Sequence, residues 1–311
     1  MSLIEQAAQR LEQLRRAGVE VPPQSAEISE QTDEPSISPT PSQTAAVQPS
    51  TAEESNQSPG RQTSLHVNLD LDTLSAARII RPDAPRSQLA DEFRIVKRPL
   101  IDNAMGKGAV PVRNGNLIMV TSALPGEGKT FTAANLAISI AMELDHTVML
   151  VDADVARSNL LKRFGLPPAK GLLDVLVDES VTLPEVLLHT NIEKLSILPS
   201  GTQHPRATEL LASDAMASLV EEIAKRYSDR IIIFDSPPLL VTTEARTLAS
   251  HMGQVVVVVK AESTTHNAVK HALATIEACP VKLMLLNQIK AATKDSYGYG
   301  YGYGYGYGAQ A

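Results

Sequence analysis

The segment Ser122-Ala-Leu-Pro-Gly-Glu-Gly-Lys129-Thr130 follows an apolar run and opens a run with helical spacing. A phosphate-binding loop needs that setting. Gly126 and Gly128 let the backbone turn its N–H groups inward around phosphate oxygens, and the helix that follows adds the positive end of its dipole. Lys129 can reach the β- and γ-phosphates of a nucleotide, and the Thr130 hydroxyl can ligate Mg²⁺. The nucleotide-binding set is therefore Pro125, Gly126, Glu127, Gly128, Lys129, Thr130 and Phe131. The general pattern begins with glycine where this chain has Ala123, so Gly126 is expected to supply the flexibility.

Two further apolar runs end in acids. Val148-Met-Leu-Val-Asp152-Ala-Asp154 carries two carboxylates at its end, and Ile231-Ile-Ile-Phe-Asp235-Ser-Pro-Pro238 carries one. Open α/β sheets bind ligands at the carboxyl ends of their strands, so Asp152, Asp154 and Asp235 should converge on the loop bearing Lys129. Three acids beside a triphosphate call for a cation, and Mg²⁺ held by Thr130, Asp152, Asp154 and Asp235 meets that need. Asp235 is the expected holder of the metal, directly or through water, and one of Asp152 and Asp154 can orient or deprotonate an attacking hydroxyl. Arg157 follows closely and can contact phosphate or a neighbouring subunit. Asn287, ending the last apolar run, either contacts adenine or simply ends a strand in a turn.

These groups require strands to carry them. Short continuous apolar runs at 117–121, 147–152, 195–199, 231–235, 255–260 and 283–287 read as parallel strands covered on both faces. Helical patterns at 130–143, 208–227, 243–251 and 267–278 separate them. The fold class is α/β, a doubly wound, mostly parallel sheet, and with its phosphate loop it resembles the Min/Par-like P-loop NTPases. Ahead of it, 67–71 alternates like a short extended segment. Residues 87–98 read as a helix with Leu89, Phe93, Val96 and Leu100 on one face, ended or kinked by Pro99. Asp91, Arg94, Lys97 and Arg98 form a charged side that is either solvated or a subunit contact.

Composition sets the surroundings. The net charge of −7 argues against a nucleic-acid binder. The one cysteine, Cys279, cannot form an intrachain disulfide and reads as a buried thiol in a reduced, intracellular chain. The seven histidines show no metal-ligand spacing. No secretory signal and no bilayer-length apolar stretch is present, so a membrane role is expected only through a partner. Residues 1–17 read as a short amphipathic helix, either solvated or a docking element. Residues 18–62, rich in Pro, Ser, Thr, Gln and Glu, read as a disordered linker. The nucleotide-binding domain spans 63–294, and 295–311 form a tail in which tyrosine and glycine alternate.

Six of the seven tyrosines lie in that tail: Tyr297, Tyr299, Tyr301, Tyr303, Tyr305 and Tyr307. The glycines keep it flexible, and from Asp295 it can extend about 55–60 Å at about 3.3–3.6 Å per residue. A chain of this kind can thread its hydroxyls into one active site in turn as phosphoacceptors.

At this point the sequence resembles the bacterial tyrosine kinases (BY-kinases), most of all the exosortase-associated autokinases of exopolysaccharide clusters. The likeness runs from about residue 66 to the C-terminus. It rests on Pro125-Gly-Glu-Gly-Lys-Thr130, Val151-Asp-Ala-Asp-Val-Ala-Arg157, Phe234-Asp-Ser-Pro-Pro238 and the tyrosine tail. The resemblance implies an ATP- and Mg²⁺-dependent kinase in which Lys129, Asp152, Asp154 and Asp235 are catalytic. It implies phosphorylation of the tail in trans within a homo-oligomeric ring and activation by a membrane polysaccharide co-polymerase. It also implies reversal by a protein tyrosine phosphatase, and a cytoplasmic place at the inner face of the plasma membrane through the partner. Cycling between the two phosphorylation states would be tied to exopolysaccharide chain length and export. Two positions depart from the family. Its arginine two residues after the second aspartate is Ala156 here, with Arg157 one later. Its ring-contact motif Glu-x-x-Arg-x-x-Arg appears as Asp91, Arg94 and Lys97, and Lys lacks the bidentate fork of Arg. The competing reading is a Min/Par-type ATPase that switches partner binding. Such proteins usually carry a second lysine early in the phosphate loop, and 121–125 contain none.

Overall fold

The computed structural model describes residues 65–84, 87–108 and 110–290. The expected N-terminal helix, the linker and the tyrosine tail lie outside the described residues.

In chain order the elements are β1 (Leu65–Val67), α1 (Leu71–Ala76), α2 (Gln88–Ala104), β2 (Leu117–Ser122), α3 (Lys129–Ala141) and β3 (Thr147–Asp152). Then come α4 (Leu160–Arg163), α5 (Leu172–Val177), α6 (Leu183–Val186), β4 (Leu188–Thr190), β5 (Leu195–Leu198) and α7 (Ala207–Leu211). The chain continues with α8 (Asp214–Arg226), β6 (Arg230–Asp235), α9 (Glu244–Ser250), β7 (Gln254–Lys260), α10 (His266–Ala274) and β8 (Val281–Asn287).

The eight strands form one sheet in the order β1-β4-β5-β3-β6-β2-β7-β8, parallel except where β4 meets β5. The apolar runs become its centre because they are apolar on both faces. In β2, Leu117 and Met119 enter one hydrophobic core while Ile118 and Val120 enter the other. That is the two-residue alternation of a strand covered on both sides. One core is closed by α1, α2 and α3, the other chiefly by α7, α8, α9 and α10. Cys279 is buried in the second.

Three local readings change. The alternation at 67–71 does not persist as a strand: Asp70 N-caps α1, its carboxylate accepting from the Thr73 N–H at 2.9 Å. The helical run 208–227 is two helices, because Ser213 caps α8 through the Met216 N–H and interrupts the pattern. Helix α2 runs through Pro99 to Ala104. An interior proline costs about 3 kcal/mol. Beyond it Leu100 and Ile101 are fully or nearly buried, and at about 1.5–3 kcal/mol each they offset that cost. Runs of apolar residues too short to read alone form β4 and the one-turn helices α4 and α6.

Candidate functional site

The phosphate loop leaves β2 and enters α3 between two strands that end in aspartate. In the sheet register Asp235 pairs with Val120 on one side and Asp152 on the other. The two carboxylates therefore arise from adjacent positions at the sheet's carboxyl edge, as the spacing predicted. The Ala153 N–H donates to the Asp235 carbonyl at 2.8 Å and locks the two strand ends together.

Positive φ falls where glycine stands, 81° at Gly126 and 101° at Gly128. A Cβ on Gly128 would meet the Asn287 amide at 2.1 Å. Ala123 is buried in the core and is absent from the left-handed residues, so alanine is tolerated at the position where the general pattern has glycine. Phe131 turns away from the loop to meet Phe93 edge-on, with ring centroids 6.3 Å apart.

Glu127 does something that the motif does not announce. Its side chain is buried at the back of the loop. One carboxylate oxygen accepts from the Leu124 N–H at 2.7 Å. The other accepts from the Lys260 N–H at 3.5 Å and from the Thr264 hydroxyl. Asn287 donates to the Glu127 carbonyl at 2.9 Å, and Gln288 donates to the Gly126 carbonyl at 3.1 Å. Asn287 thus braces the loop from the β8 side, and its side chain is engaged with loop backbone. Since Glu127 holds the loop in shape, Glu127→Ala is expected to raise KM for ATP about tenfold with kcat within a few-fold, the pattern of lost uniform binding. Steady-state kinetics with ATP varied checks this.

Lys129 reaches toward the aspartates, with Nζ 3.7 Å from Asp154 Oδ2. Asp152 is fully buried and accepts from the Ser158 hydroxyl at 2.7 Å. Burial pushes Asp152 up to about 6. Burial, and then the neighbouring Asp152 charge, push Asp235 up to about 8, while Thr130 and Lys129 pull the other way. One oxygen of each, Asp152 Oδ1 and Asp235 Oδ1, is buried without a hydrogen-bond partner. Two orphaned carboxylate oxygens, both disfavoured as anions, fit a hard divalent cation that takes oxygen ligands. Among the described residues no three or more His, Cys, Asp or Glu side chains are set as a metal cage. Asp154 is turned to Lys129. A cation here would complete its shell with phosphate and water oxygens, which suits Mg²⁺.

On α2, Asp91 and Arg94 pair with each other at 2.6 Å and are exposed. Lys97 does not join them on the surface. It is buried, donating to the Ser139 carbonyl at 2.6 Å and pairing with Glu143 at 2.7 Å. It therefore caps the carboxyl end of α3, the helix that carries the phosphate loop. Lys97→Ala should cost about 1–3 kcal/mol, since it leaves the Ser139 carbonyl without its side-chain donor and the partly buried Glu143 carboxylate with only the longer Arg98 contact at 3.5 Å. Glu143 is held below its ordinary value by Lys97, so this contribution is present at neutral pH and fades as pH falls through the carboxylate range. Thermal melts of both chains at pH 7 and pH 3 read it.

A model described as an AAA domain matches residues 115–289. The chain is 31% identical over 222 residues to tyrosine-protein kinase YwqD of Bacillus subtilis, covering 71% of this chain and 90% of that protein. This chain belongs to the bacterial tyrosine kinase family. It is 33% identical over 207 residues to the succinoglycan biosynthesis transport protein ExoP of Rhizobium meliloti, covering 65% of this chain and 25% of that longer protein. The crystal structure of the chimerical protein CapA2B2 superposes with a TM-score of 0.57 at 29% identity, covering 70% of this chain and 99% of the other. No helix among the described residues is long and apolar enough to cross a membrane.

Proposed function

We propose that this chain is an ATP-dependent autokinase that phosphorylates Tyr297, Tyr299, Tyr301, Tyr303, Tyr305 and Tyr307 of its own kind. The observation that carries this reading is the buried Asp152–Asp235 pair beside Lys129, in a chain that ends in six tyrosines. A tyrosine Oη attacks the γ-phosphorus, and the Oη–P bond forms as the bond to the β–γ bridging oxygen breaks. ADP leaves and the phenolic proton passes to a carboxylate. Lys129 and the backbone N–H groups of the loop hold the β- and γ-phosphates. Mg²⁺, when bound by Thr130, Asp152 and Asp235, supplies charge neutralisation of the phosphates. Asp154, left free of the cation and steadied by Lys129, orients the phenol and takes its proton. Asp154→Asn is expected to lower kcat about a hundredfold with little change in KM for ATP.

The family and the ExoP likeness support a role in exopolysaccharide polymerisation and export. In that setting the chain assembles as a homo-oligomer, is activated by a membrane polysaccharide co-polymerase at the inner face of the plasma membrane, and is reset by a protein tyrosine phosphatase. Transfer between copies is tested by mixing chains. A copy cut after Ser296 supplies the active site and a Lys129→Met copy supplies the tail. Phosphate on the Lys129→Met copy supports transfer in trans; phosphate only within intact active chains would contradict it.

A further inference from the structure

Beyond Asp152 the carboxyl edge of the sheet opens into a groove of about 810 Å³. Ser158 stands at its inner end, and the Ser158 hydroxyl is the one that donates to Asp152 at 2.7 Å. The groove therefore borders the catalytic pair through Ser158. Its wall is apolar at Leu161, Leu166 and Pro168, and Lys162 and Lys170 stand exposed along it. No acidic side chain is among the described residues that line it. The opposite wall, residues 200–203, is fixed from behind. The Asp174 carboxylate accepts from the Gly171 N–H at 2.8 Å and from the Thr202 N–H at 2.9 Å. Gly201 has φ 92°, and a Cβ there would meet Asp174 Oδ2 at 2.5 Å. Lys162 and Lys170 are the charged side chains among the described residues that line the groove, with Asp174 engaged behind its wall.

The Tyr-Gly tail suits this groove in chemistry, and its repeat sets a regular step between phenols. In an extended chain, residues two apart lie on one face, about 6.6–6.8 Å apart. With tyrosine at every second position, all the rings share that face, and the glycines leave the other face bare. With one phenol at the Asp152 end, a neighbour one such step further along would face the wall formed by Leu161, Leu166 and Pro168. A phosphate on that neighbour carries about −1.5 to −2 charge and falls among the lysines.

Resting on the autokinase reading, we propose that this groove is a phosphotyrosine subsite. It holds a tyrosine already phosphorylated, through Lys162 and Lys170, while the next tyrosine of the 297–308 segment reaches Asp154 at the catalytic site. The kinase then prefers a partly phosphorylated tail and proceeds along it, rather than restarting at random on fresh tails.

The test measures binding to the full chain without ATP. A fluorescein-labelled peptide of residues 295–308 is made with and without phosphate on Tyr301, and anisotropy gives both affinities. The phosphopeptide is expected to bind about tenfold tighter. In K162A/K170A the preference should fall below about twofold, with the unmodified peptide bound as before and the melting temperature unchanged. Equal affinities in the native chain, or a preference that survives the double substitution, would overturn the proposal. A phosphoserine peptide of equal charge binding as tightly would overturn the tyrosine selectivity. Early in a reaction with ATP, the native chain should show unmodified and multiply modified masses together, and the double variant a ladder that fills one step at a time. Phosphate uptake without the binding preference would sink the subsite alone. The preference without any uptake would sink the kinase reading instead.

Discussion

Asp235→Asn is expected to reduce tail phosphorylation by about a thousandfold and, in Mg²⁺-free buffer at pH 8, to make the fold more stable. On the proposed reading, the activity loss follows from removing one of two carboxylates with an orphaned oxygen that would hold the cation, a loss of charge stabilisation at the reacting centre. The stability gain follows from burial. The Asp235 carboxyl has an ordinary value of 3.8 and is raised to about 8 by burial and by Asp152. The unfolded chain releases this proton near pH 4 and the folded chain holds it until about pH 8. Stability from this group is thus full below about pH 4 and is lost as pH climbs to about 8. The amide is never charged and escapes that loss. We expect the variant to melt several degrees higher than the native chain at pH 8 and to show no gain at pH 4. A variant that is both inactive and less stable at pH 8 would mean that the carboxylate is a structural hydrogen-bonding group.

Full phosphorylation of the tail is expected to shift the assembled chain to smaller species. Six phosphotyrosines add roughly −9 to −12 charge to a chain that already carries −7. Copies brought together would face that charge on every neighbour, within reach of a tail about 55–60 Å long. Assembly of unmodified chains would then be opposed by its own product, which makes the reaction self-limiting. Sedimentation of the chain before and after complete phosphorylation, at about 0.15 M salt, measures this. The repulsion should weaken as salt is raised. One unchanged species through full modification would contradict the switch.

The placement of the candidate site was legible because it is local. The phosphate loop is contiguous, and the aspartates follow apolar runs whose fate as central parallel strands is set by their burial on both faces. Register then brings Asp152 beside Asp235. The role of Glu127 was not legible, since its partners Lys260 and Thr264 lie 133 and 137 residues away. Lys97 shows how a three-residue spacing misleads. At about 100° per residue, Arg94 lies near 300° from Asp91 and Lys97 near 240°. Phe93, Leu100 and Ile101 fall near 200°, 180° and 280°, so Lys97 sits in the middle of the buried arc. Its long apolar stem crosses the core edge, and its ammonium finds Glu143 and the end of α3. Pro99 misled for a related reason: propensity is local, and the burial of Leu100 and Ile101 outweighs it.

The most direct test is the intact mass of the purified chain after incubation with ATP and Mg²⁺, beside Lys129→Met and a chain cut after Ser296. Mass gains in whole phosphates, up to six, that vanish in both variants are the expected result. ATP consumption with no gain in mass, with the cytoplasmic segment of a co-polymerase present, would contradict the autokinase and favour a nucleotide-driven partner-binding switch.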